Sequence, residues 1–309
     1  MGAGTGRPIY DCACARARVI VNGTTAQAFV SFEVDIAPTD WQWAHVVQSR
    51  KESVSDHLRE TFPSWSDMPL WRVELIGSAA KQTIIRPLDD VNVLAVFSDA
   101  NGIYEERYRS DSQAFLARAR SAYSARAAQA VGNRGQAVRV FFPTGGHVDV
   151  APVFFVGGDD YLLPARDRSW AHSSPLKANA WFDRRDQDLS GHLRPVVRLL
   201  KKWNAQEGSF KSFHLETMAA SLFSTLGSNH RVAVARFFEW APHWLKVTDP
   251  GGHSGDLGTY LGRAARQEAL RSLASAATRA SQALAAEAAG SHDEAKRLWQ
   301  VLLGDDFPA

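Results

Sequence analysis

The sequence has few cysteines, no long apolar run and almost no excess of charge of either sign. Its two cysteines, Cys12 and Cys14, are separated by one residue, which is poor spacing for a disulfide or a zinc knuckle. We therefore expect free thiols in a reducing compartment. No apolar run approaches the roughly 20 residues that span a bilayer, and the first residues lack the apolar region of a signal peptide. These absences predict a cytoplasmic protein with no membrane partner.

The charge balance argues against a protein that coats nucleic acid. The chain has 35 basic and 33 acidic residues, a net charge of +2, and so we predict no sequence-specific DNA partner. A local basic groove for a small polyphosphate is compatible with this balance. With 309 residues, of which 45% are hydrophobic, the chain can bury one large core or two joined lobes.

The first half of the chain combines strand and helix patterns. Residues 1–35 are predicted to be an N-terminal extension, in which residues 15–33 alternate loosely around Asn22-Gly23 in the manner of a hairpin. Residues 36–175 are predicted to be one domain with a sheet. Its helices are expected from Thr39 to Arg59 and at 111–130, and its strands at 71–77, 91–97, 137–143 and 147–156.

The second half, residues 176–309, has the 3.6-residue period of helices. The apolar spacing predicts helices at 193–204, 213–226, 232–245 and 258–289. A last helix is expected to begin at a capping box formed by Ser291 and Glu294 and to end before Gly304. The predicted fold class is therefore α+β, a mixed sheet with helices joined to a C-terminal helical lobe.

Polar residues at the ends of predicted strands indicate a site for phosphate and a cation. Gly77 and Ser78 follow one strand, where a helix start can offer backbone donors to phosphate oxygens. Asp90 and Asn92 begin the next strand and point to the same side because strand side chains alternate. Asp149 has a similar position on a later strand. Converging oxygens of this kind suit Mg²⁺, with Mn²⁺ as the alternative ion.

These segments resemble those of a known enzyme family. The sequence IGSAAKQTIIRPLDDVNVLAVF is similar to the nucleotidyltransferase signature of Gly-Ser followed by an Asp-x-Asp pair, and HVDVAPVF resembles the segment with the third carboxylate. The family is that of the bacterial cGAS/DncV-like nucleotidyltransferases, which are relatives of cyclic GMP-AMP synthase and oligoadenylate synthase. Further matching segments are RLLKKWN at 198–204, SFHLE at 212–216, VTDPGG at 247–252 and the ending from Trp299 to Pro308. The likeness begins near residue 40 and leaves residues 1–35 uncovered.

The resemblance implies a polymerase-β-like nucleotidyltransferase core that makes cyclic di- or trinucleotides from ribonucleoside triphosphates in antiphage signalling of the CBASS type. By this likeness Gly77 and Ser78 hold the triphosphate, and Asp90 and position 92 bind two Mg²⁺. Asp149 helps to activate the attacking 3′-hydroxyl. Lys201 contacts the triphosphate with Ser212 nearby, unless Lys201 or Lys202 is a solvated helix face and Ser212 only caps a helix. A regulatory protein is a further expected partner.

Three sites depart from the family or lie outside its signature. Asn92 replaces the second aspartate with a neutral amide, which predicts weaker Mg²⁺ binding and strongly reduced turnover with retained nucleotide binding. The change is either an engineered substitution, a natural degeneration into a nucleotide sensor, or one that Asp89 partly compensates. The family's usual Arg-Gly is Lys81-Gln82 here, which is expected to alter loop geometry only. Asn179 is expected either to bind a nucleobase edge or to cap a helix.

Two other functions compete with the synthase at this stage. One is a nucleotidyltransferase that modifies RNA ends or a protein, which would predict an elongated basic surface that the near-neutral charge does not favour. The other is a catalytically dead module that binds a nucleotide or a partner protein.

Overall fold

The computed structural model describes residues 23–124, 131–133 and 136–309. Cys12 and Cys14, the first part of the predicted hairpin and residues 125–130 of a predicted helix lie outside these ranges. Within them, no helix is both long and apolar enough to cross a membrane.

A mixed sheet forms the centre of the first lobe. Its strands are β1 (Leu70–Ile76), β2 (Asp90–Phe97), β3 (Val131–Asn133), β4 (Val138–Phe141), β5 (His147–Gly157), β6 (Asp160–Pro164) and β7 (Trp170–Ser173). The strand order is β1-β2-β5-β4-β3, and β6 and β7 extend the second half of β5. Only β2 and β5 run parallel, and the other described pairs are antiparallel. The four strands predicted from the sequence are confirmed.

The described residues of the first part of the chain form five α-helices, α1 (Thr25–Ile36), α2 (Asp40–Gln42), α3 (Ser49–Thr61), α4 (Gly77–Ala80) and α5 (Ser112–Ser121). Of these, α3, α4 and α5 pack against the sheet, whereas α1 packs against the second lobe. A π-helical segment, Trp43–Gln48, joins α2 to α3 and completes the predicted helix from Thr39. Apolar side chains from α3, α5 and the sheet form one core, which includes Val54, Leu58, Phe97, Phe115 and Val150.

The second lobe is helical, as predicted. Its helices are α6 (Pro175–Asp188), α7 (Leu193–Glu207), α8 (Ser212–Leu222), α9 (His230–Trp240), α10 (Arg263–Ala288) and α11 (His292–Leu303). In α7 the buried residues Leu193, Val196, Val197 and Leu200 recur at helical spacing, so one face lies in the core. That core also contains the buried rings of Trp203, Trp299, Phe237 and Phe238.

The hairpin expected around Asn22-Gly23 is wrong for its described part, which is helix α1. Thr24 and Gln27 form a capping box that begins this helix. Phe29 and Phe32 then lie on one face, and the Phe29 ring packs 5.0 Å from those of Trp299 and Phe307. The loose alternation of the sequence concealed this helical spacing. The segment therefore packs against the helical lobe, and the predicted domain limits at residues 35 and 175 stay a prediction.

The predicted capping box at Ser291 is also wrong in its detail. Helix α11 begins at His292 and ends before Gly304 as expected, but the Ser291 side chain makes no capping hydrogen bond. Instead Glu294 is held by Arg297, one turn along the same helix. An i, i+3 ion pair has therefore replaced the reciprocal cap.

Candidate active site

Strand β1 ends at a tight turn that presents Ser78 at the edge of the sheet. Gly77 has a φ of +66°, a left-handed conformation that favours glycine over residues with a side chain. The backbone N–H groups of Thr83 and Ile84 both donate to the Ser78 carbonyl, at 2.9 and 3.1 Å. This closed turn holds the first residues of α4 beside the start of β2.

Four polar side chains lie together where β2 and β5 run parallel. In the register of this pair Asp90 is opposite His147, and Asn92 is opposite Asp149. Alternation along each strand places all four on one side of the sheet. The Asn92 amide Nδ2 donates to Asp90 Oδ1 at 3.3 Å. The structure therefore brings together Asp90, Asn92 and Asp149, and adds His147, which the sequence analysis missed.

Asp149 has a second partner that the sequence analysis also missed. Arg139 on β4 donates from Nε to Oδ1 and from a terminal nitrogen to Oδ2 of Asp149, both at 2.8 Å. These hydrogen bonds raise the pKa of Arg139, and two-pronged pairing of this kind fixes the carboxylate plane. Each oxygen of Asp149 keeps a further lone pair that can face a cation.

The donor atoms of this cluster fit a divalent cation. One ligand atom each from Asp90, His147 and Asp149 lies within 4.8 Å of the others. Asp90 is exposed while Asp149 is buried, so the site opens on one side to solvent. With a neutral imidazole, the two carboxylates and Arg139 sum to one negative charge. An aspartate at position 92 would double that charge and strengthen the attraction for a cation.

An open cavity of about 270 Å³ joins this cluster to the helical lobe. Its wall includes Ser78 and Asp90 from the first lobe and Lys201 and Ser212 from the second. A larger cavity of about 1270 Å³ lies between α1, the chain end and residues 86–89, and its wall contains none of these four residues. The smaller cavity is therefore the one that brings Ser78, Asp90, Lys201 and Ser212 together.

Lys201 is buried in an ion network and does not lie on a solvated helix face. Its Nζ is 2.5 Å from Glu216 Oε1 and donates to the Thr83 carbonyl at 3.1 Å. Lys81, from the loop after α4, pairs with the other oxygen of Glu216. Lys202 instead lies beside Asp306, at 3.0 Å. The network therefore connects the Ser78 loop to α7 and α8, and it was absent from the sequence analysis.

Glu216 is ionised at neutral pH because two lysines surround it. Burial alone would raise the pKa of Glu216, but the charges of Lys201 and Lys81 outweigh burial and lower this pKa to about 2. Burial lowers the pKa of Lys201, against the influence of Glu216. One carboxylate between two ammonium groups leaves a net positive charge beside the cavity.

We expect the network to make the protein sensitive to acid. The pKa of Glu216 is about 2 in the folded chain against an ordinary value of 4.5. Its contribution to stability is therefore complete above pH 4.5 and is lost as the pH falls from 4.5 towards 2. The difference in unfolding free energy between the unmodified chain and Glu216→Gln should shrink over this interval. Urea denaturation at several pH values measures it, and a constant difference would contradict the assignment.

The helix-capping roles considered for Ser212 and Asn179 do not agree with their positions in the structure. Ser212 is exposed, is the first residue of α8 and makes no side-chain cap, so the capping alternative is wrong. Asn179 lies in the second turn of α6, where the N-cap is Ser174, and so it is not a cap either. Asn179 does not line the cavity that contains Ser78. Asp89 lines that cavity, but the cation cluster does not include it.

Known proteins are similar to this chain in sequence and in fold. Residues 24–186, more than half of the chain, match the Second Messenger Oligonucleotide or Dinucleotide Synthetase domain. A probable cyclic nucleotide synthase of Bacillus cereus (strain VD146) is 23% identical over 270 residues, covering 75% of this chain and 81% of that protein. The cyclic AMP-AMP-AMP synthase of Escherichia coli (strain MS 115-1) is 30% identical over 188 residues, covering 56% of this chain and 57% of that protein.

A solved structure confirms the fold. The E. coli MS115-1 CdnC in its complex with HORMA-deltaN superposes with a TM-score of 0.74 at 19% identity, covering 92% of this chain and 98% of that one. The predicted mixed sheet joined to a helical lobe, and the resemblance to cGAS/DncV-like nucleotidyltransferases, are both confirmed.

Proposed function

Because the chain belongs to the Second Messenger Oligonucleotide or Dinucleotide Synthetase family, we propose that it joins ribonucleoside triphosphates into a cyclic di- or trinucleotide second messenger. The observation that carries the proposal is that Ser78, Asp90, Lys201 and Ser212 all line one cavity. These residues come from both lobes. Ser78, Asp90 and Ser212 can face a triphosphate or its cation, and Lys201, whose Nζ is bound to Glu216, adds a buried positive charge at the cavity wall. A nucleotide held there would lie beside the strands that carry Asn92 and Asp149.

Each residue has a distinct part in this proposal. Gly77 and Ser78 begin a helix whose backbone N–H groups would bind phosphate oxygens, and Lys201 would add positive charge. Asp90, Asn92 and Asp149 would hold Mg²⁺ or Mn²⁺, which neutralises charge on the transferring and leaving oxygens when bound. Asp149, fixed by Arg139, would orient and help to activate the attacking 3′-hydroxyl.

We propose that Asn92 makes this chain a weak enzyme. A neutral amide beside Asp90 leaves Asp90, Asp149 and Arg139 with a sum of one negative charge, because Arg139 offsets one of the two carboxylates. Phosphoryl transfer depends on metal ions and positioning, so a weakened cation site lowers turnover more than it lowers nucleotide binding. The role of the product would be antiphage signalling, as the family resemblance implies. A regulatory protein partner is supported by the HORMA-deltaN complex of the E. coli relative.

A catalytically inactive nucleotide sensor is the second candidate function. It is favoured by the same two observations, the amide at position 92 and the two-pronged bond between Arg139 and Asp149. Both candidates require a nucleotide in the cavity. They differ in whether restoring the carboxylate at position 92 restores synthesis.

We expect ribonucleoside triphosphates to stabilise the chain against heat. At about 100 times the dissociation constant, binding adds about 2.7 kcal/mol, which raises the melting temperature by roughly 5 °C. Ser212→Asp should abolish this rise, because it puts a carboxylate into the cavity wall without disturbing the helix start. Thermal unfolding with each of the four nucleotides, with and without Mg²⁺, measures the effect.

The matched control is Ser281→Asp, which changes an exposed serine of α10 away from the cavity. It should keep the full rise in melting temperature. Absence of stabilisation by all four nucleotides in the unmodified chain would contradict nucleotide binding. Equal rises in both variants would place the nucleotide elsewhere.

A further inference from the structure

We infer that His147 is a direct cation ligand in this chain, and that it makes the site select Mn²⁺ over Mg²⁺. The inference deepens the proposed function, on whose cation site it rests. It concerns a residue other than Asp90, position 92 and Asp149, to which the family resemblance gives the metal-binding and catalytic roles.

The imidazole is oriented towards the two carboxylates. His147 Nε2 lies 3.4 Å from Asp90 Oδ1 and 3.9 Å from Asp149 Oδ1. Two ligands of one ion, each about 2.1 Å from it, are separated by about 3 Å at a right angle and about 4.2 Å across the ion. Both measured separations fall in this interval. The third pair, Asp90 and Asp149, has ligand atoms within 4.8 Å of each other, so one cation can contact all three side chains if the two carboxylates move slightly closer together.

The same nitrogen lacks any other partner. His147 Nε2 is buried from solvent and makes no hydrogen bond within the described residues. A buried polar atom without a partner is costly, and a native structure usually satisfies it with water, an ion or a protein group. A cation between His147 and the carboxylates would satisfy this atom.

The position of the ring is set before any ion binds. The backbone N–H of His147 donates to the Asp89 carbonyl at 2.7 Å. Its ring packs against that of Phe141 on β4, with centroids 5.9 Å apart. His147 is also register partner to both Phe141 and Asp90. Rigid strands therefore hold the imidazole near its ligand position, which reduces the entropy lost on binding.

The donor set decides which ion is preferred. Asn92 has its amide Nδ2 towards Asp90 and contributes no negative charge. His147 then supplies a nitrogen donor where a second carboxylate is missing. Mg²⁺ demands oxygen ligands in a strict octahedron, whereas the affinity of a mixed nitrogen and oxygen site rises along the first-row divalent ions, of which Mn²⁺ is the first. The resulting Asp, His, Asp set should bind Mn²⁺ more tightly than Mg²⁺.

Pulsed electron paramagnetic resonance of Mn²⁺ bound to the full chain, without nucleotide, tests this directly. A directly bound imidazole gives a nitrogen hyperfine coupling to Mn²⁺, which we expect in the unmodified chain and not in His147→Ala. His147→Ala should also weaken Mn²⁺ binding about tenfold or more, and competing Mg²⁺ should displace Mn²⁺ only in large excess. His243→Ala, which removes an exposed histidine from the segment Ala241–His243, should leave both readings unchanged.

Two outcomes would overturn the inference. One is Mn²⁺ bound with no nitrogen coupling, and the other is a coupling that survives in both His147→Ala and His147→Gln. The glutamine variant keeps a polar group of similar reach if the alanine variant fails to fold. The proposed function fails separately, by loss of nucleotide stabilisation. Nucleotide binding without any Mn²⁺ binding would contradict this inference alone.

Discussion

Replacing Glu216 by alanine is expected to lower the free energy of unfolding by about 3 to 5 kcal/mol. Glu216 is 2% exposed and is shared by Lys81 and Lys201. Its removal leaves two ammonium groups buried, and it also removes the acceptor of the Thr83 hydroxyl, which donates to Glu216 at 2.7 Å. The loss is large because the desolvated charges have no water to replace the carboxylate. Urea denaturation followed by tryptophan fluorescence measures the difference.

The control is Glu268→Ala on α10. Glu268 also pairs with a cation one turn away, Arg271, but the two side chains are 65% and 72% exposed. Exposed pairs of this kind contribute roughly 0 to 1 kcal/mol. A Glu216→Ala variant that loses no more stability than Glu268→Ala would show that the buried network does not join the lobes energetically.

Replacing Asn92 by aspartate is expected to increase the rate of nucleotide joining by about a hundredfold or more. The new carboxylate would lie opposite Asp149 in the strand register and beside Asp90. It would raise the negative charge of the cluster from one to two and give the cation an oxygen ligand in place of an amide. Release of pyrophosphate from ribonucleoside triphosphates, with Mg²⁺ and with Mn²⁺, measures the rate. The increase should be larger with Mg²⁺, since His147 already favours Mn²⁺.

The double variant Asn92→Asp, Asp90→Asn separates charge from position. It keeps the total charge of the unmodified chain but moves the carboxylate by two residues along β2. We expect no increase in rate, because the exposed end of the strand then loses its cation ligand. An increase equal to that of Asn92→Asp alone would mean that general charge, and not the geometry at Asp90, controls the reaction.

Much of the fold follows from local pattern. The strands that carry Asp90 and Asp149 are apolar runs rich in β-branched residues, and the helical lobe has a clear 3.6-residue period. Alternation alone placed Asp90 and Asn92 on one side of a strand. The sequence did not predict helix α1, because its helical apolar spacing begins at the cap residue Thr24 inside a segment that also alternates between apolar and polar residues.

The missed site residues depend on register and on contacts distant in sequence. A hairpin turning at Thr144 and Gly145 pairs Phe141 with His147, and so it also pairs Arg139 with Asp149. The residues of this turn are visible in the sequence, but the pairing of Arg139 with Asp149 can be predicted only if the exact position of the turn is known. The network of Lys81 with Glu216 had no such signal, because its members lie on different lobes. Only the packing of α4 against α8 brings them together.

The most direct test of the proposed chemistry is the product that the Asn92→Asp chain makes from labelled ribonucleoside triphosphates. We predict a labelled oligonucleotide that resists phosphatase, because a ring has no terminal phosphate, and that a phosphodiesterase opens. The unmodified chain should make far less of the same product. A properly folded Asn92→Asp chain that binds nucleotide and Mn²⁺ yet yields only unreacted nucleotide would contradict the assignment of this site to cyclic oligonucleotide synthesis.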